Sequence, residues 1–418
     1  MLDYGLRMHA SLRDSSSTRR KTLRRCTSFG IFLLWLCAIG FAQETPQDKP
    51  AASMQHPDIL RKFPLTKFYD SPVPLPSGRP GDLIRSAPFE QYAVSMGVSA
   101  VRILYYSRSA AGDPVAVSGV VLIPDGQAPA GGWPVIAWAH KLSGAARTCA
   151  PSLARNLLHG PFLSMYVNLG YAVVATDYAG LGTNFRNAFA DSRSNALDVI
   201  YSIPAARTAV PGLGARWIAM GTEEGAMAAV GVAELEHELR DRNYLGAVAI
   251  SGVTDLEDML KPTSNEPHEL PLLLAFGVQT AYPQFNVKDV LTDQALLLYR
   301  EVGHACSVPD AEKVPVAGML KAHWESNKFV QNYLNRGRLG MEPATGPLLV
   351  IGSKGDQSIA ATVKVVARLC KQGDRVLFNR YAEYDPGKVI GDSARDQIAW
   401  IQERFANRPA RSNCADNP

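Results

Sequence analysis

The sequence predicts an α/β fold in which helices cover both faces of a mostly parallel sheet. Five short, continuous apolar runs are typical of buried strands: Pro134–His140, Ala172–Asp177, Trp217–Gly221, Leu245–Val253 and Leu348–Gly352. Helical patterns lie between several of these runs, at Ala196–Arg207, Glu223–Arg240 and Ile359–Cys370, and a last strand (Val376–Tyr381) precedes a last helix (Asp392–Phe405). Buried strands that alternate with helices indicate parallel pairing. With 418 residues, 46% of them hydrophobic, the chain can bury a large core.

Two earlier runs predict an antiparallel hairpin at one edge of this sheet. Ser99–Tyr106 alternates between apolar and polar residues, and Ala116–Pro124 forms a second strand-like run. Gly112, Asp113 and Pro114 supply turn chemistry between the two runs.

Residues 1–42 hold seven basic and two acidic residues, a charge of +5, so the rest of the chain carries −1 and the net charge is +4. Residues 1–42 combine basic residues with an apolar run, and Gly40 and Ala42 are small residues suited to a cleavage site, so we expect a cleaved signal peptide and a secreted or periplasmic protein. An uncleaved anchor is the alternative, and Met8 is a second candidate start. Residues 43–56 form a polar leader. The nearly neutral remainder gives no electrostatic case for nucleic acid.

Four cysteines remain after the predicted cleavage, and an even number suits an oxidising compartment. They are Cys149, Cys306, Cys370 and Cys414, which allow three pairings. No Cys-x-x-Cys spacing occurs and the histidines are scattered, so we expect neither a metal site nor a cofactor.

The segment 256–346 interrupts the alternation of strands and helices. It contains three apolar helical stretches, Leu270–Phe276, Val290–Tyr299 and Met319–Leu334, and no clear strand. We therefore expect a core of residues 57–255 and 347–410 with 256–346 as a helical cap over the strand ends, where α/β sheets bind ligands. A purely structural helical subdomain is the alternative.

A strand, a tight turn and a helix follow one another around Gly221. The turn reads Gly221-Thr222-Glu223-Glu224-Gly225, which has the layout of a nucleophile elbow, Gly-x-Ser-x-Gly, with Glu223 in the place of the serine. Asp356 ends a later strand and is the candidate triad acid. A histidine base should follow that acid, but the last of the eight histidines is His323.

Three further stretches carry a family resemblance. They are Trp138-Ala-His140 followed by Cys149-Ala-Pro-Ser152, Ala175–Thr183 (Ala-Thr-Asp-Tyr-Ala-Gly-Leu-Gly-Thr), and Ala399–Phe405 with Arg408 and Pro409. Together they resemble the secretory lipase family, lidded α/β hydrolases that cleave esters and triacylglycerols. The resemblance implies the α/β-hydrolase fold, lipid catabolism and the disulfides Cys149–Cys306 and Cys370–Cys414.

The same resemblance places the functional positions of the family on this chain. The nucleophile falls on Glu223, the acid on Asp356 and the base on Pro386, so only the acid matches. The oxyanion hole falls on the backbone N–H groups of Ser143 and Glu224. Lys141 replaces a glycine of the oxyanion loop, and Lys141 and Tyr178 are the candidate binding residues.

Two function classes follow from these replacements. In the favoured one, the protein is a lipase-like pseudoenzyme that retains an acyl or other apolar ligand under the cap. Glu223 is then an anion at a helix N-terminus that fills the old oxyanion hole or is neutralised by Lys141. In the alternative, the protein is an active esterase-type hydrolase with Glu223 as nucleophile or with other unorthodox residues. Ser251 is interpreted as a turn residue, and the oligomeric state stays open.

Overall fold

A computed structural model describes residues 62–260, 269–356, 358–382 and 386–416. The predicted signal peptide and leader lie outside these ranges. Nine strands form one sheet: β1 (Leu83–Pro88), β2 (Val98–Arg108), β3 (Pro114–Pro124), β4 (Trp133–Ala139), β5 (Ala172–Thr176), β6 (Leu213–Thr222), β7 (Tyr244–Ile250), β8 (Leu348–Ser353) and β9 (Val376–Tyr381).

The strand order across the sheet is β1-β2-β3-β5-β4-β6-β7-β8-β9. The pairs from β1 to β5 are antiparallel, and all pairs from β5 to β9 are parallel. This arrangement confirms the predicted α/β fold. The predicted hairpin of β2 and β3 is present, but it lies one strand in from the edge, because β1 pairs along the outer side of β2.

Eleven α-helices occur in the described part of the chain: α1 (Gly160–Asn168), α2 (Ser192–Ala209), α3 (Glu224–Leu239), α4 (Leu256–Met259), α5 (Leu270–Ala281), α6 (Asp293–Tyr299), α7 (Val316–Met319), α8 (Lys328–Arg336), α9 (Ile359–Lys371), α10 (Pro386–Asp392) and α11 (Ala394–Phe405). The predicted last helix, Asp392–Phe405, corresponds to α11, and α10, which precedes it, was not predicted. The two helices are separated at Ser393, whose hydroxyl donates to the carbonyl of Val389.

The sheet is buried on both faces, as the alternation of side chains along β4 shows. Val135 and Ala137 point into one apolar cluster with α2, α3 and α9. Ile136 and Trp138 point into another with α1, α10 and α11. Successive side chains of a strand alternate between faces, so continuous apolar runs are what a doubly covered sheet requires.

Helices α4 to α8 lie between β7 and β8 in sequence and share a separate apolar cluster. The predicted helical stretch Met319–Leu334 is corrected, because α7 ends at Met319 and α8 begins at Lys328. His323 has a left-handed backbone (φ 60°) and the Asn327 side chain caps α8, and both features interrupt a continuous helix.

Two disulfides tie the chain together, and both implied pairings are confirmed. Cys149–Cys306 joins the segment after β4 to the α4–α8 region, and Cys370–Cys414 joins α9 to the C-terminal segment. In the described ranges, no helix combines the length and apolar character needed to cross a membrane.

Candidate active site

The turn between β6 and α3 has the geometry of a nucleophile elbow. Glu223 stands between the strand and the helix with φ 53° and ψ −116°. A positive φ is rare and strained for a residue with a Cβ atom. Its N–H donates to the carbonyl of Ile250 at the end of β7, which anchors the turn to the neighbouring strand.

Gly221 and Gly225 are the residues that allow this turn to close. A Cβ atom on Gly225 would lie 2.0 Å from the carbonyl oxygen of Ala139, and one on Gly221 would lie 2.1 Å from the carbonyl oxygen of Gly225. Such distances are far inside van der Waals contact. The Gly-x-x-x-Gly spacing thus places the start of α3 directly against the end of β4.

Lys141 faces the elbow residue across the mouth of the site. Its Nζ lies 3.9 Å from Oε1 of Glu223, and both side chains are a little over 40% exposed. The predicted pairing of these residues is therefore confirmed, although an exposed ion pair of this kind stabilises by only about 0–1 kcal/mol. The side chain of Glu223 makes no capping hydrogen bond to α3, and its proposed place in the oxyanion hole stays a prediction.

Asp356 lies just after β8 and is held by two serines. Its Oδ2 accepts a 2.7 Å hydrogen bond from Ser251 Oγ. Its Oδ1 accepts hydrogen bonds from the N–H and the hydroxyl of Ser358, at 2.8 and 2.7 Å. Ser251 follows β7, has φ 56° and is 1% exposed. It is a turn residue, as predicted, but its bond to Asp356 was missed; both residues follow neighbouring parallel strands, which end at one edge of the sheet.

The carboxylate of Glu224, the first residue of α3, is hydrogen-bonded inside the protein. Its Oε1 accepts hydrogen bonds from the N–H of Ala190 and from Nδ2 of Asn195, both at 2.9 Å. Burial raises the pKa of this carboxyl to about 7 and the charge of Glu223 adds to the rise, while the two hydrogen bonds lower it. This side-chain role was not predicted, since only the backbone N–H of Glu224 had been assigned a function.

His140 and Tyr178 form a buried support beneath the predicted oxyanion loop, the segment after β4 that contains Lys141 and Ser143. Their rings stack with centroids 4.2 Å apart, and the Tyr178 hydroxyl donates to the carbonyl of His140. The His140 nitrogens lie 2.6 Å from the carbonyl of Lys141 and 3.2 Å from that of Asp177. Burial lowers the pKa of His140 to about 4. Tyr178 has no exposed surface, so the structure places it behind His140 rather than on a ligand-facing surface.

Two polar atoms near the loop are buried without a hydrogen-bond partner in the described part of the chain. They are Oγ of Ser143 and Nδ1 of His159. His159 stacks edge-on against Trp138 at 5.5 Å. Burial lowers its pKa to about 4, and the charges of Lys141 and His140 lower it further. The proximity of His159 to the loop was missed, since the sequence order of a triad directs attention to histidines that follow Asp356.

Pro386 begins α10, which packs on β8, the strand leading to Asp356. No described histidine follows Asp356. Among the described residues, no group of His, Cys, Asp and Glu side chains has the arrangement of a metal site. The oxyanion role of the Ser143 and Glu224 N–H groups stays a prediction.

The doubly covered sheet and the elbow at the end of β6 define the class of protein as one with the α/β-hydrolase fold. The structure is similar to the closed state of lipase A from Candida antarctica (TM-score 0.73, 15% identity, 84% of this chain and 89% of that chain). It is also similar to a ligand-bound form of the rice cell wall degrading esterase LipA from Xanthomonas oryzae (TM-score 0.65, 16% identity, 79% and 100%). At these identities the likeness concerns the fold.

The sequence profile of the secretory lipases matches residues 158–413, more than half of the chain. The chain therefore belongs to the secretory lipase family. A stretch of 92 residues is also 30% identical to a co-chaperonin GroES from Limosilactobacillus reuteri and covers 90% of that protein. That stretch is 20% of this chain, so it does not bear on the class of the whole protein.

Proposed function

We propose that this protein is a secreted, lipase-like binding protein that has lost ester hydrolysis and holds an acyl or other apolar ligand beneath the α4–α8 region. The observation that carries the proposal is the elbow: a glutamate stands at the nucleophile position and pairs with Lys141. A carboxylate that attacks the carbonyl of an alkyl ester is expelled again, because it is a better leaving group than the alkoxide, so the anhydride needed for hydrolysis does not accumulate.

The acid position supports the same proposal. In a serine hydrolase the acid orients a histidine, which removes the proton of the serine and later protonates the leaving group. Here hydroxyl and N–H donors occupy both oxygens of Asp356. The described histidine closest to the oxyanion loop, His140, is buried against backbone carbonyls. No step that a triad performs can be assigned to these residues.

The ligand part of the proposal follows from the family and from the contacts of the oxyanion loop. Secretory lipases act on esters of apolar chains, and Leu142, next to Lys141, packs on the apolar cluster of the α4–α8 region. The disulfide Cys149–Cys306 fixes this loop to that region. Secretion is supported by the family and by two disulfides, which persist in oxidising compartments.

A second candidate is a hydrolase that uses Glu223 as a carboxylate nucleophile. The strained elbow and the partial exposure of Glu223 favour it, because they present the carboxylate to solvent. Such an enzyme would attack an alkyl carbon and form an ester intermediate, and a base would then have to activate water. His159, with its unpaired Nδ1, is the described candidate for that base.

Turnover assays separate the two candidates. The purified protein with intact disulfides is incubated with short-chain chromogenic esters, a fluorophosphonate and a haloalkane, and its co-purified lipid is extracted for mass spectrometry. We expect no turnover above background, no phosphonylation and a bound acyl lipid. Turnover that Glu223→Gln abolishes, and that the matched change Glu342→Gln at an exposed site leaves intact, would establish a catalytic Glu223. Absence of any acyl lipid, with no binding of a fluorescent fatty acid, would refute the binding role.

A further inference from the structure

The disulfide Cys149–Cys306 lies beside the ammonium group of a lysine. Nζ of Lys62 is 2.9 Å from Sγ of Cys306 and donates to the carbonyl of Thr148 at 3.4 Å. The backbone of Lys62 pairs with Ala154 in an isolated antiparallel bridge. The segment that contains Cys149 therefore holds the lysine in place next to the bond.

The two sulfur atoms of this bond differ in their access to solvent. Cys149 is 3% exposed, whereas Cys306 is partly exposed and Lys62 is exposed. An incoming thiol therefore reaches Sγ of Cys306 first, and it meets the Lys62 ammonium there. The thiolate is the attacking species in thiol–disulfide exchange, so a positive charge beside the attacked sulfur favours the reaction.

The second disulfide, Cys370–Cys414, has the opposite surroundings. Sγ of Cys414 lies 3.5 Å from the carbonyl oxygen of Asp374 and 4.0 Å from that of Val376. Cys370 is the last residue but one of α9, and the C-terminus of a helix carries the negative end of its dipole. Both features disfavour an approaching anion. The chain thus contains an internal standard against which the reactivity of Cys149–Cys306 can be measured.

We propose that Cys306 is the site at which a small anionic thiol attacks this protein and opens the disulfide Cys149–Cys306. The thiolate forms a bond to Sγ of Cys306, the bond between the two cysteines breaks, and its electron pair leaves on Sγ of Cys149, which then takes up a proton. The products are a mixed disulfide at Cys306 and a free thiol at Cys149. The proposal concerns the rate of this exchange, which depends on charge and access rather than on how much the bond stabilises the fold.

Exchange at Cys306 removes the covalent link between the predicted oxyanion loop and the α4–α8 region. The two also touch through their backbones, since a Cβ atom on Gly144 would lie 2.6 Å from the carbonyl oxygen of Cys306. Once the bond is open, only non-covalent contacts hold the loop to that region, so a thiol can loosen it. This inference does not depend on whether the protein hydrolyses esters or binds a ligand.

The test uses the protein with both disulfides intact and two small thiols of opposite charge. Thioglycolate carries a carboxylate and cysteamine carries an ammonium group. After timed exposure and acid quenching, new thiols are alkylated, peptide mass spectrometry locates the attached probe, and each rate is divided by the thiolate concentration. Lys62→Met removes the ammonium group and Lys62→Arg keeps a positive charge. Lys67→Met, at an exposed lysine of the same segment, is the matched control.

We expect thioglycolate to attach first to Cys306 and to open its disulfide at least about fivefold faster than Cys370–Cys414. Lys62→Met should slow that opening about fivefold and remove the preference for thioglycolate over cysteamine. Lys62→Arg and Lys67→Met should stay within about twofold of the wild type. Unfolding speeds exchange, so a slower rate in Lys62→Met cannot arise from a damaged fold.

Three outcomes would overturn the proposal. They are first attachment of the probe at Cys149, equal rates of opening at the two disulfides, and an effect of Lys67→Met as large as that of Lys62→Met.

Discussion

The hydroxyl of Ser251 donates a 2.7 Å hydrogen bond to Oδ2 of Asp356 and so links the ends of β7 and β8. In a working triad that carboxylate orients an imidazole. Here it joins two loops, and Ser251 accepts a strained φ of 56° to reach it. Asp356, which the sequence predicts to be the triad acid, thus forms a structural link between the two loops, and any attempt to rebuild a triad must release it from Ser251.

The disulfide that fixes the oxyanion loop should contribute more to stability than the C-terminal one. Cys149–Cys306 spans 157 residues and Cys370–Cys414 spans 44. Chain entropy therefore predicts that removing the first lowers the free energy of unfolding by about 1 kcal/mol more than removing the second, within a range of about 2–5 kcal/mol for each. Urea unfolding of Cys149→Ser/Cys306→Ser and Cys370→Ser/Cys414→Ser measures both losses. The reverse order would show that strain or residual structure outweighs chain entropy.

The buried carboxyl of Glu224 should make the protein less stable as the pH rises toward neutrality. Its pKa is about 7 in the folded protein and 4.5 ordinarily, so between these values the folded state binds the proton more tightly than the unfolded state does. The free energy of unfolding should fall across pH 4.5–7, by on the order of 2–3 kcal/mol from this group. Glu224→Gln keeps an acceptor for the Ala190 and Asn195 donors and should remove that fall.

Titration of His140 changes the stability with pH in the opposite direction to that of Glu224. The contribution of Glu224 is therefore measured as the difference between the wild type and Glu224→Gln. The pKa of His140 is lowered to about 4 from 6.5, so this residue destabilises the fold as the pH falls below 6.5. Urea unfolding from pH 4.5 to 7.5 is compared for the wild type, Glu224→Gln and the exposed-site control Glu342→Gln. A wild-type minus Glu224→Gln difference that does not change with pH would contradict burial as the cause of the Glu224 shift.

The elbow turn should not tolerate a side chain at Gly225. In Gly225→Ala the new methyl group would meet the carbonyl of Ala139 at 2.0 Å. Either β4 or α3 must then move, and we expect a loss of more than about 3 kcal/mol or failure to fold. Gly391→Ala is the matched control, because a Cβ atom there meets nothing within 4 Å. That helical position should gain up to about 1 kcal/mol. Equal thermal midpoints for both variants would refute the close approach.

The fold was largely predictable because its signals are local. Continuous apolar runs marked every strand from β4 to β8, and turn residues marked the β2–β3 hairpin. Strand β1 was missed, since Leu83–Pro88 contains Arg85 and Ser86 and shows only intermediate burial on its inner positions. The break between α7 and α8 at His323 was not predicted, because a residue with a left-handed backbone cannot be recognised from the pattern of apolar residues.

The site was only half predictable. The elbow and the Lys141–Glu223 pair follow from spacing and charge, which a sequence displays. The Ser251–Asp356 bond and the inward turn of Glu224 depend on contacts between segments far apart in the chain. Contacts at such separations are set by the assembled sheet rather than by any local pattern.

Rebuilding the triad should require four changes, and fewer should fail. Glu223→Ser alone lacks a base, and Pro386→His alone lacks a nucleophile, because triad members act as a unit. A new imidazole must also donate a hydrogen bond to the Asp356 carboxylate, but Ser251 now donates to that group. Ser251→Gly is therefore added, because glycine removes the hydroxyl and tolerates the positive φ at this position. Lys141→Gly restores the family residue in the oxyanion loop.

We expect the quadruple variant to hydrolyse a short-chain chromogenic ester at least about tenfold above the uncatalysed rate. Each triple variant that omits Glu223→Ser or Pro386→His should remain at background. Equal activity in the triple variant that keeps Glu223 would contradict the assignment of the nucleophile position.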